Sequence, residues 1–161
     1  LDNRPRPSYP SRVEKLIAQN KKARLNFEIE DQFEAGLVLA GSEVKALRGG
    51  KATVDGAYVM LRRDELWLVG AHISEYAWAN RENHDTTRDR KLLVHRSEID
   101  KLAVKVTVRG YTLVPLRLYW KGAKVKLEFG LGRGKKDHDK RADLKEKESK
   151  REIDRAMKRY R

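Results

Sequence analysis

The chain has 161 residues, a length that fits one domain of ordinary size with an extension. Its 37 Lys and Arg residues against 24 Asp and Glu residues give a formal net charge of +13 at pH 7, and its pI is near 10.0. This surplus favours a polyanionic partner, nucleic acid first and an anionic membrane surface second, while the lack of cysteine excludes disulfides, thiolate metal sites and a thiol nucleophile.

The N-terminal segment, residues 1–12, contains three of the four prolines and is predicted to be flexible. It lacks the apolar core of a signal peptide, and no apolar run elsewhere approaches the roughly 20 residues of a membrane span. We therefore expect a cytoplasmic protein with no membrane-embedded part. Because the chain begins with Leu1 rather than Met, we also expect that its natural N-terminus has been trimmed.

A folded domain is predicted for residues 13–132. A short helical turn is expected over Val13–Gln19, and the basic segment Lys21–Arg24 follows it. A strand is then indicated by spaced apolar residues, namely Phe27, Ile29 and Phe33, and again Leu37, Val38 and Leu39.

A short helix is predicted over Glu43–Arg48. Ser42 is a suitable N-cap for it, and Gly49 and Gly50 are suited to end it. Glu43 in the first turn and Arg48 in the last turn both suit the helix dipole.

The middle of the domain predicts a hairpin and a loop. Alternating apolar residues between Thr53 and Ile73 indicate two strands, with a turn at Arg63-Asp64. Residues 74–91 are rich in Asn, Thr and Arg, so we expect a polar surface loop there. The run Leu92–Val94 is predicted to be buried.

The end of the domain predicts a helix and two strong strands. Ser97 is the expected cap of a helix over Glu98–Val108, which Gly110 ends. The first strand is expected to place Val114, Leu116, Leu118 and Trp120 on one face. After a turn at Gly122, Val125, Leu127 and Phe129 alternate with Lys124, Lys126 and Glu128.

Five to seven short strands with one or two brief helices predict a mainly β fold. The architecture that fits best is a small antiparallel β-barrel with a core of the oligonucleotide-binding (OB-fold) kind. The Gly-Leu-Gly-Arg-Gly run at residues 130–134 is predicted to be a flexible exit from this barrel.

Residues 133–161 form a predicted basic tail with 13 Lys and Arg residues against 7 Asp and Glu residues. Its start, Gly134–Arg141, places four cations, two carboxylates and one imidazole within eight residues, which indicates a polyanionic partner. One narrow apolar stripe follows, formed by Ile153, Ala156, Met157 and Tyr160. Because this stripe is too thin to fold a helix alone, we expect the tail to be disordered in the free protein and helical on a partner.

The sequence gives no catalytic signature. The four histidines are scattered, and the motifs of zinc proteases, serine hydrolases, P-loop enzymes and dinucleotide-binding enzymes are missing. A nuclease site at His138, Asp139 and Lys140 is an alternative, but a mobile tail cannot hold such groups in a fixed geometry. We expect no enzymatic activity, no cofactor and no metal.

Each candidate RNA contact has a simpler alternative. The basic segment around Lys21 and Lys22 fits phosphate binding or a solvated turn, and the cations at Arg88–Lys91 fit an RNA-binding loop or an ordinary hydrophilic one. Lys45 and Arg48 share one side of the short helix, where solvation alone could explain them. The three tryptophans, Trp67, Trp78 and Trp120, are expected to anchor the core or loops rather than to stack on bases.

Seven sequence blocks between residues 20 and 141 resemble, in order, the SmpB family, the tmRNA-binding (SsrA-binding) proteins of bacterial trans-translation. The blocks are Asn20–Arg24, Glu34–Gly36, Gly41–Arg48, His72-Ile73, Arg88–His95, Val114–Leu116 and Gly134–Arg141. The departures are mild: Ser42 and Ala46 replace the commoner Thr and Ser, and Glu75 and Thr86 stand where Pro is frequent.

The resemblance implies a non-enzymatic adaptor with an OB-fold barrel. In the family, the protein binds the tRNA-like domain of tmRNA and stands in for its missing anticodon arm when the complex enters the A site of a stalled ribosome. The implied partners are tmRNA, small-subunit rRNA at the decoding centre and in the empty mRNA channel, and elongation factor Tu with aminoacylated tmRNA. A generic OB-fold ribosomal or tRNA-binding protein is the alternative.

Two sets of site residues follow. The expected tmRNA-binding residues are Asn20, Lys21, Lys22, Arg24, Glu34, Lys45, Arg48, Arg90, Lys91, Leu93 and Lys126. The tail residues expected to meet the ribosome are Lys135, Lys136, His138, Asp139, Lys140, Arg141, Ile153, Met157 and Lys158. The resemblance implies that Asp139, Lys140 and Arg141 act on the ribosome rather than in tmRNA affinity.

Overall fold

The structure, a computed structural model, describes residues 14–78, 83–108, 110–135 and 137–159. The strands in these ranges are β1 (Glu14–Gln19), β2 (Phe27–Leu37), β3 (Ala52–Thr53), β4 (Tyr58–Arg62), β5 (Glu65–Val69), β6 (His72–Ile73), β7 (Arg90–Leu93), β8 (Tyr111–Lys121) and β9 (Lys124–Gly134). The helices are α1 (Ala23–Asn26), α2 (Gly41–Arg48), α3 (Arg96–Val106) and α4 (Asp137–Arg159).

Six strands pair into a closed ring. Strand β8 pairs with β9 along one edge and with β4 along the other, so that the order β8-β4-β5-β7-β2-β9 returns to β8. All of these pairings are antiparallel. The mainly β barrel fold predicted from the sequence is therefore confirmed, with β1 added as a seventh strand on β8.

The helical turn predicted at Val13–Gln19 is wrong, because residues 14–19 form strand β1. Strand β4 pairs with β8 only at Leu113. Strand β1 pairs with the later part of the same edge of β8, where Glu14 lies opposite Lys121. A register shift between Leu16 and Ala18 turns Ile17 and Ala18 towards the core. Strand pairing thus overrides the local propensity. Val13 lies outside the described residues.

Strand β8 does not keep four apolar residues on one face, as the sequence predicted. A register shift between Pro115 and Arg117 inserts Leu116 as a bulge. Pro115 has no N–H to donate, which favours an irregularity at this point of the ladder. Val114 and Leu116 therefore pack against Ala23 in a small outer cluster, whereas Leu118 belongs to the main core and Trp120 packs against it.

The main core lies inside the ring. Val125, Leu127 and Phe129 on β9 are buried there, as their alternation predicted, and the Phe129 ring stacks on Phe33 with centroids 5.5 Å apart. Helix α3 adds Ile99 and Leu102 to the same core.

The predicted turns hold, but both predicted N-caps are wrong. Arg63 and Asp64 have positive φ angles of 50° and 63° in the β4–β5 turn, and Gly49 and Gly50 follow α2. Helix α2 begins at Gly41, so Ser42 lies within it, and the Ala40 N–H is satisfied by Glu43 Oε1 at 2.8 Å. In α3 the N-cap is His95 rather than Ser97, which lies within the helix.

The glycine run at residues 130–134 is not a flexible exit, because β9 continues to Gly134 opposite β2. A Cβ on Gly130 would lie 2.7 Å from Ile29 Cγ2, and one on Gly132 would lie 2.6 Å from the Glu28 carbonyl oxygen. These glycines let β2 and β9 approach closely. Strand β9 also crosses the domain boundary predicted between residues 132 and 133.

The tail forms one helix, α4. Its disorder in the free protein and folding on a partner remain a prediction. Acid–base pairs at i, i+4 spacing, such as Glu146 with Lys150 and Asp154 with Lys158, favour the helix. Its apolar residues Ile153 and Met157 are exposed, and Tyr160 lies outside the described residues. No described helix has the length and apolarity needed to cross a membrane.

We predict that Gly132→Ala lowers the free energy of unfolding by about 1–3 kcal/mol, because the added methyl group would clash with the β2 backbone. Gly134→Ala is the matched control, since a Cβ there meets nothing within 4 Å. Urea unfolding followed by circular dichroism measures both variants. Equal stability of the two would contradict the close approach of β2 and β9.

Candidate nucleic-acid interface

Three predicted site residues from three strands meet on the outside of the barrel: Glu34, Leu93 and Lys126. Alternation places them on the outer face, and Gly36 lies opposite both Leu93 and Lys126 in the strand register. With Lys121, whose Nζ lies 3.2 Å from Glu34 Oε1, they form what we call the Glu34 patch.

Leu93 separates two clefts in this patch. One, of about 420 Å³, is lined by Glu34, Gly36, Leu93, Val94, His95, Glu98 and Lys126. The other, of about 350 Å³, runs between Leu93 and Val44 of α2, above Trp120 and Lys124. The sequence placed Leu93 in a buried run, but its side chain is 54% exposed because outward and inward residues alternate along β7.

The carboxylate of Glu34 is held ionised. Partial burial opposes its charge, but hydrogen bonds from the Tyr119 hydroxyl and the Lys121 ammonium outweigh this and lower the pKa of Glu34. The positive charge of Lys126 acts in the same direction. The patch therefore offers a fixed anionic acceptor between cations.

Tyr119, Arg117 and Lys121 were not singled out by the sequence analysis. Tyr119 is buried, and its hydroxyl donates to Glu34 Oε2. The Arg117 guanidinium lies 4.6 Å from the Tyr119 ring centroid and donates to Glu128 at 2.7 Å. Burial and then the hydrogen bond to Glu34 raise the pKa of Tyr119, so its proton stays on the hydroxyl. No local signal links Tyr119 to Glu34, which lies 85 positions away.

The Asn20 block, Asn20–Arg24, lies apart from the Glu34 patch. The Asn20 amide donates to the Pro115 carbonyl at 3.0 Å, so Asn20 fixes the turn to the β8 bulge. Lys21, Lys22 and Arg24 are exposed beside it. Since β2 runs from Phe27 next to this block to Glu34, the block lies roughly 20 Å from the Glu34 patch.

The cations of α2 and β7 flank the Glu34 patch without joining it. Lys45 and Arg48 are exposed on α2, and Lys45 Nζ lies 5.5 Å from the Tyr76 ring centroid. Lys91 projects from β7 and pairs with Glu65 at 3.1 Å.

Arg90 is not part of an exposed interface, contrary to the prediction of a cationic surface loop. Its side chain is 0% exposed, and its Nε donates to the equally buried Glu43 at 2.6 Å. The rest of the guanidinium donates to the carbonyls of Ala71 at 2.7 Å and Thr86 at 3.0 Å. A fully buried arginine with these partners is not accessible to RNA.

Arg88 and His84 complete the network that holds α2 against this loop. Arg88 donates to Glu43 and to the Val38 carbonyl at 3.1 Å. His84 bridges Ser42 Oγ and the Ile73 carbonyl, each at 2.9 Å. Burial opposes the charge of Glu43, but hydrogen bonds from Arg88, Ala40 and Arg90 lower its pKa.

The predicted ribosome-contacting residues are spread along α4 and the residues before it. The backbone N–H of Lys135 donates to the Asn26 carbonyl at 2.8 Å, and Lys136 lies outside the described residues. His138, Asp139 and Lys140 fall in the first turn of α4. Arg141, Ile153, Met157 and Lys158 are exposed along it. Near its middle, Glu146, Lys147 and Lys150 share a cleft with Arg24 and Leu25 of α1.

Comparison with known proteins identifies the family. The family model described as SmpB protein matches residues 17–159 of this chain. The chain belongs to the SmpB family. The sequence resemblance is thereby confirmed.

Relatives in the SmpB family cover most of this chain. An SsrA-binding protein of Geobacter sulfurreducens is 52% identical over 144 residues, which is 89% of this chain and 94% of the relative. One of Anaeromyxobacter dehalogenans is 53% identical over 149 residues, covering 92% and 91%. A solved structure described as "tmRNA-SmpB: a journey to the center of the bacterial ribosome" shares 41% identity with a TM-score of 0.62, over 74% of this chain and 84% of that chain.

We predict that Glu43→Gln in this SmpB-family chain lowers the free energy of unfolding by about 3–5 kcal/mol, because Arg90 is left charged in the core without its carboxylate counter-ion. Asp31→Asn is the matched control, since its ion pair with Lys105 is half exposed and is worth about 0–1 kcal/mol. Urea unfolding at pH 7 checks both variants.

The same pair sets a pH dependence. Because the folded pKa of Glu43 is lowered, the ion pair stabilises the fold above the ordinary glutamate pKa of 4.5, and this contribution is lost as the pH falls through the folded pKa. The stability gap between wild type and Glu43→Gln should therefore narrow below pH 4.5. A gap that stays constant down to pH 2 would contradict this account.

We predict that Tyr119→Phe raises the pKa of Glu34, because the carboxylate loses a hydrogen bond that favours its charged form. The carbon-13 shift of the Glu34 carboxyl group, followed against pH by NMR, measures the change. Tyr111→Phe is the control: its hydroxyl bonds to Glu30, not to Glu34. An unchanged Glu34 titration in Tyr119→Phe would refute the assigned hydrogen bond.

Proposed function

We propose that this chain is a non-enzymatic adaptor that binds the tRNA-like domain of tmRNA in trans-translation. The observation that carries the proposal is the Glu34 patch, where a fixed carboxylate, an exposed leucine and two lysines meet on a basic barrel of the SmpB family. Its relatives are described as SsrA-binding proteins, and tmRNA appears in the description of the solved structure.

The chemistry of the patch suits folded RNA with unpaired bases. Lysine ammonium groups attract phosphates without reading sequence, whereas a carboxylate repels phosphates and accepts hydrogen bonds from base N–H groups. Glu34 therefore penalises simple backbone binding and favours RNA that turns base edges towards it. Leu93 offers an apolar contact for a base between the two clefts.

The Asn20 block and α4 extend this function in our proposal. Lys21, Lys22 and Arg24 bind phosphates of a second part of the same RNA, roughly 20 Å from Glu34 along β2. Together with the RNA, the protein enters the A site of a stalled ribosome in place of an anticodon arm. Elongation factor Tu delivers the aminoacylated complex.

The tail meets ribosomal RNA in this proposal. His138, Asp139, Lys140 and Arg141 lie where α4 begins and would approach the decoding centre. The exposed remainder of α4, including Ile153, Met157 and Lys158, would lie in the mRNA channel when it is empty. The long basic helix supports this, since it presents cations around a narrow apolar stripe.

A binding titration against the tRNA-like domain of tmRNA, with ordinary tRNA as competitor at two salt concentrations, tests the adaptor function. Tight binding that survives the competitor supports it. Binding that tRNA competes away equally, with a steep salt dependence, would leave a generic OB-fold RNA-binding protein.

Two variants locate the interface. We predict that Glu34→Gln weakens binding to the tmRNA domain by about 1–3 kcal/mol without changing the salt slope, because no phosphate contact is lost. Lys126→Ala should weaken binding and reduce the slope by about one. Lys105→Ala, an exposed cation on α3 that pairs with Asp31, is the control and should bind normally.

Truncation after Lys135 separates the tail's role from tmRNA affinity. The adaptor proposal expects that the truncated protein still binds the tmRNA domain but that peptide tagging on stalled ribosomes stops. A generic RNA-binding protein would only lose affinity in proportion to the removed charge. A nuclease would be revealed by RNA fragments after long incubation with the full-length protein.

A further inference from the structure

Trp78 is the most exposed large apolar side chain among the described residues. It is 82% exposed, whereas Trp67 and Trp120 are half-buried against the barrel. The sequence expectation that all three tryptophans are anchors therefore fails at Trp78. An indole in water has an uncovered aromatic face, which can stack on any nucleobase.

The described residues just before Trp78 are held in place. The Asn83 side chain accepts from the Tyr76 N–H at 3.0 Å and donates to the Tyr76 carbonyl at 3.1 Å. The Ser74 N–H donates to the Lys51 carbonyl at 3.0 Å. These bonds hold Ser74 and Tyr76, just before Trp78, against Lys51 and Asn83, so the indole extends from an anchored segment.

Cations surround the base of this loop. Lys45 Nζ lies 5.5 Å from the Tyr76 ring centroid, and Arg48 and Lys51 are exposed on and just after the same helix. Among the described residues at this point, Glu75 contributes one opposing charge, so their balance remains positive. An aromatic face beside several cations matches the composition of single-stranded RNA sites.

We propose that Trp78 and Lys45 form a stacking site for an unpaired RNA base and its phosphate. The inference rests on the proposed RNA-binding function and extends it beyond the Glu34 patch. The two surfaces are continuous across α2, because Val44, the neighbour of Lys45, lines the cleft beside Leu93. The base belongs either to the tmRNA domain or to ribosomal RNA, and separate measurements distinguish these sources.

The test compares Trp78→Ala with Trp78→Tyr, which keeps an aromatic face. Val104→Ala is the control, since Val104 is also strongly exposed but lies on α3. Each full-length variant is titrated against the tmRNA tRNA-like domain, and its complex with tmRNA is then titrated against stalled ribosomes. Thermal unfolding verifies that the fold is intact, which is expected for so exposed a side chain.

We expect Trp78→Ala to weaken one of the two titrations roughly tenfold, while Trp78→Tyr retains most of the affinity and Val104→Ala is unchanged. A loss in the first titration assigns the base to tmRNA, and a loss confined to the second assigns it to ribosomal RNA. The stacking site is overturned if both titrations are unaffected by Trp78→Ala, or if Trp78→Tyr is as weak as Trp78→Ala.

Glu34→Gln in the same titrations separates this proposal from the adaptor function. If Trp78→Ala binds normally while Glu34→Gln binds weakly, the proposed stacking site is excluded but the adaptor function is not. The adaptor function is excluded if the wild-type protein does not bind the tmRNA domain, or if ordinary tRNA competes for the protein as well as the tmRNA domain does. The absence of all RNA binding would exclude both the adaptor function and the stacking site.

Discussion

The buried ion pair between Glu43 and Arg90 holds the site in its shape. Both side chains are 0% exposed, so either charge alone would be costly, and the pair fixes α2 against β7. The ion pair thereby positions the two walls of the cleft between Leu93 and Val44. Val44 is the residue after Glu43 on α2, and Leu93 projects from β7 three residues after Arg90. Arg88 and His84 add bonds to the same helix, so that the position of α2 is determined at several points.

This network also explains why the sequence analysis misassigned Arg90. Glu43 looked like a dipole-compatible residue of a short helix, and Arg90 like one cation among several in a polar loop. Their pairing spans 47 positions and leaves no local pattern. A net charge of +13 also favours the interpretation of every arginine as an RNA contact. The same limit hid Tyr119, whose bond to Glu34 joins separate strands.

Features that depend on neighbouring residues were predicted well. The alternation of Val125, Leu127 and Phe129 identified a core strand, and Arg63-Asp64 identified a hairpin. Features that depend on strand pairing were not predicted. Strand β1 forms because an edge of β8 is open, and the bulge at Leu116 places Val114 and Leu116 outside the main core. Among site residues, the resemblance to the SmpB family put Glu34, Leu93 and Lys126 in one tmRNA-binding set, which the residues alone could not do, and the strand register brings the three together.

The distribution of cation types follows from their chemistry. Arginine has a planar fork that can satisfy several fixed acceptors, and Arg90 and Arg117 are engaged in that way with carboxylates and, for Arg90, carbonyls. Lysine is a flexible, strongly hydrated point charge, and lysines dominate the exposed Glu34 patch and the Asn20 block. The cations that organise the fold therefore differ from those available to an RNA. The count of 37 Lys and Arg residues overstates the size of the interface, since some of these cations are already paired with carboxylates of the fold.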